Sequence, residues 1–227
     1  MFTRSNFITY KTMTNKIQKS AIIIVLFALS CSFAQSQTYR KGANIISLGS
    51  GLAVYSLKLA SNDSSTTAAS FSFPLTYEYA FADKFGVGFV VQRNNFITGD
   101  DSAAKSTTAG GWTFGLQSTF YFLRREKVDL HTGIMLGGNT FNISGTDSNK
   151  VSRNISYSGF AFKILGLCQI YFSDKFGMYT GINITNNALS LNEFLQDGVK
   201  QEIKDDDDWK EINLSGVELM LGLVVKF

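Results

Sequence analysis

Nucleophilic and general acid–base catalysis need a histidine, a carboxylate and a hydroxyl or thiol brought together. This sequence holds a single histidine, His131, close after the charged stretch Arg124-Arg125-Glu126-Lys127. One imidazole at that end of the strands laid out below cannot orient a nucleophile at the other end. No catalytic residue is therefore expected, and His131 reads as a lumen or rim residue. The segment 188–211 carries Glu193, Asp197, Glu202, Asp205, Asp206, Asp207, Asp208 and Glu211 against Lys200, Lys204 and Lys210, a net of −5. Carboxylates in a row suit hard cations, but a calcium loop spaces its ligands around a turn-forming glycine, and Asp205 to Asp208 have none. The run reads as a solvated acidic tip, with no metal or cofactor implied. Leu195, Val199 and Ile203, at helical spacing, predict a short helix before it.

The start of the chain explains its apparent basicity. Lys16 and Lys19 precede an apolar run from Ala21 to Leu29, and Ser32-Phe33-Ala34 ends in small residues. That is the order of an export signal, expected over residues 1–34 with Met13 as the start. The apolar run is much shorter than the roughly 20 residues of a membrane-spanning helix. Residues 1–34 hold Arg4, Lys11, Lys16 and Lys19 and no acid, so the remainder has 17 bases against 18 acids, a net of −1. Nothing is left to argue for a nucleic-acid surface. Of the two cysteines, Cys31 falls inside the signal, where Ala28-Leu29-Ser30-Cys31 offers a rival, lipoprotein-like reading, and Cys168 stands alone as an expected wall residue.

Twenty Phe, nine Tyr and twenty Gly against one Pro favour strands over helices. The apolar period is two for most of residues 35–227, the single expected domain. In residues 71–81, Phe71, Phe73, Leu75, Tyr77, Tyr79 and Phe81 fall on one face of a strand. Similar runs occupy residues 45–58, 85–97, 111–123, 128–141, 156–172, 175–187 and 212–227, so eight strands are expected. The first and sixth shift parity near Val54 to Leu57 and Leu165 to Leu167, where a bulge is expected. Links at residues 82–84, 124–127 and 173–175 are short and charged. Links at 59–70, 98–110, 142–155 and 188–211 are long and rich in Ser, Thr, Asn, Asp and Gly. Strict alternation of short and long links predicts an up-and-down barrel with all short turns at one rim.

A soluble lipocalin-like barrel shares this period. Three features favour a transmembrane barrel instead. The face opposite the apolar one is rich in Gly, Ser, Thr, Gln and Asn rather than Lys and Glu. The strands are long enough for a tilted crossing of the hydrocarbon layer. Aromatics gather at both strand ends, with Phe81, Phe85, Phe120, Phe122, Phe172, Phe176 and Phe227 by the short turns and Phe71, Phe96, Trp112, Phe114 and Phe160 toward the long loops. On inward parity, Lys163 and Glu218 share one depth, and Glu78 and Gln169 share a lower one. Both sets are expected to pair across a narrow lumen, because an isolated charge there is costly. A thin water path lined by the same residues is the alternative.

The chain over about residues 40–227 resembles small bacterial outer-membrane β-barrels, in particular the PorT-like outer-membrane β-barrel domain family. The most pointed likeness is the last strand, Val217 to Phe227, ending on an aromatic residue. The resemblance implies an integral outer-membrane protein of a Gram-negative bacterium, in contact with outer-membrane lipid, with both termini periplasmic. It implies that Leu223, Val225 and Phe227 are read by the barrel-assembly machinery, and that a secretion or surface protein is a partner. A non-enzymatic structural or interaction role through extracellular loops is the leading expectation. A narrow, porin-like channel or transporter, or an accessory barrel of a secretion system, is the alternative.

Overall fold

A computed structural model describes residues 41–59, 65–97, 107–125, 127–146, 150–201 and 209–227. The export signal at 1–34, Cys31, and the acidic run Asp205 to Asp208 lie outside the described residues. Among the described residues, nine strands form one antiparallel sheet: β1 (Asn44–Leu59), β2 (Ser65–Ala82), β3 (Phe85–Ile97), β4 (Thr107–Arg124), β5 (Val128–Thr146), β6 (Ser152–Tyr171), β7 (Phe176–Gln196), β8 (Val199–Lys200) and β9 (Glu211–Lys226). Each long strand pairs with the next, β7 pairs with β9, and β9 pairs with β1, so eight strands close a ring with no free edge. This is the expected eight-stranded up-and-down barrel. Phe227 and Asn44 seal the seam by exchanging backbone hydrogen bonds of 2.9 and 2.8 Å.

The wall tolerates one proline. The β1–β2 ladder is interrupted between the pairs Leu48↔Leu75 and Gly51↔Ser72, which bracket Pro74, a residue without an N–H to donate. Bulges do occur, but not where the parity shifts. They put an extra residue on β2 between Tyr79 and Ala82, on β4 between Tyr121 and Leu123, and on β7 opposite Ser156 and Tyr157. The register of β1 and of Leu165 to Leu167 runs without a slip.

What changes at those positions is the polarity of the inside. From Val217 to Phe227, the outward residues of β9 are all large and apolar and 37–58% exposed. Ten residue rises of about 3.3 Å, tilted by about 40°, give an apolar belt roughly 25 Å tall. The belt stops at Val54, Phe71, Val91, Trp112, Leu136, Phe160, Ile184 and Val217. The next outward residues are Ser56, Ala69, Arg93, Gly110, Gly138, Ser158, Asn186 and Ser215. Above this line the faces exchange. The outer face of β6 becomes Ser158, Ser156, Asn154 and Ser152, while the interior holds Tyr55, Phe141, Tyr157, Leu189, Ile212 and Leu214 packed together. The barrel thus has a lower storey, apolar outside, and an upper storey built like a water-soluble barrel.

This exchange accounts for two of four departures from the sequence reading, the longer strands and the inward Phe96. Strands extend into residues expected as loop, 65–70, 107–110, 142–146, 152–155 and 188–196, because polar outward residues pair in a ladder as well as apolar ones do. Phe96 is not a girdle residue. It turns inward above the belt, its ring centroid 4.9 Å from Phe141 and 5.4 Å from Tyr55. Phe176 is also covered, with its ring beside Phe172. The helix expected at Leu195 to Ile203 is instead a hairpin: Asp197 (φ 50°) and Gly198 (φ 78°) form a two-residue turn, and Val199 pairs back onto Gln196. An Asp-Gly step in this left-handed region is a hairpin signal that outweighs weak helical spacing. Ile203 lies outside the described residues.

Candidate functional site

The lower-storey lumen collects the polar residues of inward parity. Lys163 on β6 and Glu218 on β9, 3% and 0% exposed, lie with Nζ 3.4 Å from Oε2. Alternation places them at one height on two strands that flank β7, and a strand from across the lumen joins them. The Lys163 Nζ donates to Gln92 Oε1 (2.6 Å), and Gln92 Nε2 donates to Glu218 Oε1 (2.8 Å). From β7, Asn183 Nδ2 donates to Glu218 Oε2 at 2.9 Å. The chain of bonds continues from Gln92 Nε2 to Asn94 Oδ1 (2.7 Å), then through Asn94 Nδ2 to Thr113 Oγ1 (3.1 Å) and on to Asn139 Oδ1 (3.3 Å). One ammonium and one carboxylate, satisfied by amides, tie six strands together across the lumen. A buried charge pair of this kind fixes register, because either charge alone would be stranded.

The second expected set does not form a pair in the same way. Glu78 accepts hydrogen bonds from the Tyr121 hydroxyl (2.8 Å) and Gln117 Nε2 (3.4 Å), whereas Gln169 Oε1 accepts from the Tyr171 hydroxyl (2.7 Å). Both side chains line one cavity of about 50 Å³, together with Lys163, Gln92 and Asn183. That volume is room for a few waters. The partners Gln92, Asn94, Gln117, Tyr121 and Asn183 were not singled out in the sequence. Their inward parity was the available signal, but amides and phenols draw less notice than charges.

Packed clusters narrow this polar cell at both ends, with Asp129 and Lys226 also buried at the lower one. Toward the short turns, Ile45, Tyr121, Tyr171, Tyr179, Met220 and Val224 pack together; toward the loops stands the upper-storey cluster. The lower closure depends on glycine. Gly49 and Gly222 are paired across β1 and β9, and the Tyr179 ring lies where their side chains would stand. His131 is buried on the inner wall, its ring 4.4 Å from that of Tyr121, and does not converge with a nucleophile. Cys168 is a partly exposed free thiol on the outer face. Leu223, Val225 and Phe227 face outward on the closing strand, 47%, 37% and 58% exposed. Among the described residues, no three His, Cys, Asp or Glu side chains come together to hold a metal.

Neither a protein-family profile nor a curated protein sequence matches the chain. Solved structures do. Neisserial surface protein A superposes with a TM-score of 0.54 at 16% identity, covering 82% of this chain and 100% of that one. The outer-membrane protein OprG from Pseudomonas aeruginosa gives 0.52 at 17% identity, covering 83% and 97%. A major outer-membrane protein from Thermus thermophilus gives 0.52 at 13% identity, covering 81% and 99%. The fold is that of the small outer-membrane β-barrels. At these identities the likeness is one of fold alone.

Proposed function

We propose that the chain is an integral outer-membrane β-barrel protein with a filled lumen, acting through its loop-side surface in a structural or interaction role rather than as a conduit or an enzyme. The observation that carries this reading is the reversal of polarity along the strands. An outer face that is apolar for roughly 25 Å and then turns to Ser, Thr and Asn matches the hydrocarbon layer and the water above it. The polar cell inside is narrowed by packed side chains at both ends, so the selectivity of such a protein lies on its exterior. The fold neighbours, one of them a surface protein, are in keeping with this placement. The short turns then face the periplasm with both termini, and Leu223, Val225 and Phe227 lie on the last strand to be recognised during assembly.

The test is reconstitution in planar bilayers. A filled lumen gives no steady unitary conductance. Steady conductance that bulky replacements at Glu218 abolish would establish the channel reading instead. The PorT-like secretion role rests on the family resemblance alone and predicts a stable protein partner after mild detergent extraction from the native membrane.

A further inference from the structure

The outer face of the lower storey is not uniformly convex. Perpendicular to the strands, one row of outward residues runs Tyr79, Val87, Ser118, Ile134, and the row above it runs Tyr77, Phe89, Leu116, Leu136. Ser118 is the one short side chain in these rows, and around it opens an apolar recess of about 640 Å³. The recess is open along the outer face, a shallow seat for part of a chain rather than an enclosed pocket.

The rim next to this recess is positively charged. At the foot of β4, Tyr121 N donates to the Lys84 carbonyl at 2.8 Å, and the Arg124 guanidinium donates to the Asp83 carbonyl, which fastens β4 to the β2–β3 turn. Lys41 N donates to Asp83 Oδ1 at 3.2 Å. These backbone bonds gather Lys41, Lys84 and Arg124 at one rim, where Lys41 and Lys84 are exposed and Arg124 stands opposite Asp129 in the β4–β5 ladder. Six residue rises separate Arg124 from Ser118, a height of about 15 Å after tilt, which an acyl chain spans.

We propose that the outer face of β2–β5 is a binding site for one phospholipid with an anionic head, its phosphate met at Lys41, Lys84 and Arg124 and one acyl chain seated in the recess at Ser118. The proposal rests on the membrane reading above. A lipid is the occupant because the recess lies inside the apolar belt, and an anionic head is selected because the exposed bases Lys41 and Lys84 outnumber the exposed Asp83 at this rim. Held there, the lipid pins the short-turn end of β2–β5 to its leaflet.

The test uses the whole chain refolded in vesicles of phosphatidylethanolamine and phosphatidylglycerol, extracted in mild detergent and weighed by native mass spectrometry. One phosphatidylglycerol is retained in preference to phosphatidylethanolamine. The double substitution Lys41→Gln/Lys84→Gln lowers its retention about tenfold or more, since each surface base contributes substantially to anionic-lipid binding. Ser118→Phe or Ser118→Leu, either of which fills the recess, lowers retention of both lipids. Leu219→Phe on the diametrically opposite strand β9 leaves retention unchanged. Equal retention of the two lipids, full retention after both Ser118 substitutions, or a second copy of the chain on this face overturns the proposal. A chain that stays protease-sensitive with vesicles and shows no heat-dependent gel shift refutes the membrane reading itself, before any lipid is scored.

Discussion

Truncating Glu218 to alanine should cost about 3 kcal/mol of stability, and the structure says why the figure is neither smaller nor larger. The carboxylate accepts bonds from Lys163, Gln92 and Asn183. After truncation, Gln92 keeps Asn94, and Lys163 keeps Gln92 Oε1 at 2.6 Å, but its charge has lost its counter-ion and Asn183 Nδ2 has lost its acceptor. Breaking a buried pair from one side costs roughly 3–5 kcal/mol. The adjoining cavity of about 50 Å³, bounded by Lys163 and Asn183, lets water reach the stranded ammonium and holds the cost to the lower end of that range.

The double-mutant cycle separates this account from simple loss of volume. Combining Glu218→Ala with Lys163→Met removes both charges, so the double variant should be less destabilised than the sum of the single ones by about 1.5 kcal/mol or more. Urea unfolding from lipid vesicles, followed by the fluorescence of Trp112 and Trp209, measures each corner. A cost under about 1 kcal/mol for Glu218→Ala, or additivity of the two substitutions within about 0.5 kcal/mol, would refute a stabilising charge pair.

Three further outcomes follow from the two storeys and the lower closure. Leu221→Arg, in the middle of the outer belt, should cost roughly 2–4 kcal/mol in the same unfolding assay, whereas Ser156→Arg above the belt should stay within about 0.5 kcal/mol. Leu214→Ala, an inward residue of the upper storey, should cost roughly 2–5 kcal/mol, and a cost near zero would show that the upper cluster is not a packed core. Gly222→Val should push the Tyr179 ring off its seat at a cost of about 1–3 kcal/mol, read as lower urea resistance with the closed-ring gel mobility retained.

Much of this was legible in the sequence, because alternation on a strand is a local signal. The run Phe71 to Phe81 declares its outward face, and short charged links such as Asp83-Lys84 declare their turns. Lys163 and Glu218 could be put at one depth by counting residues from the turns. What alternation does not carry is the sign of the solvent. Val54 and Tyr55 are adjacent and both apolar, which looks like a register slip in sequence. In the barrel each obeys the rule of its own storey, Val54 outward at the top of the belt and Tyr55 inward at the start of the upper core. Phe96 was misplaced for the same reason. The partners of Glu218 were missed because Gln92 and Asn183 are neutral, and only their common depth makes them a network.

The same reversal bears on what the polar cell is for. A conduction path needs polar lining that reaches water at both ends. Here the charges of Lys163 and Glu218 neutralise each other, Gln92 and Asn183 use their amides on that pair, the Tyr121 and Tyr171 hydroxyls below bond Glu78 and Gln169 beside buried Asp129 and Lys226, and Phe141, Tyr157 and Leu189 above present rings and aliphatic groups. A network that holds six strands by one ion pair also gives the barrel a unique register, which alternating apolar belts cannot supply, since a belt fits equally well after a two-residue slip. The charged pair is therefore best understood as the element that fixes the wall, leaving the belt recess and the Ser- and Asn-faced upper storey as the surfaces free to recognise something else.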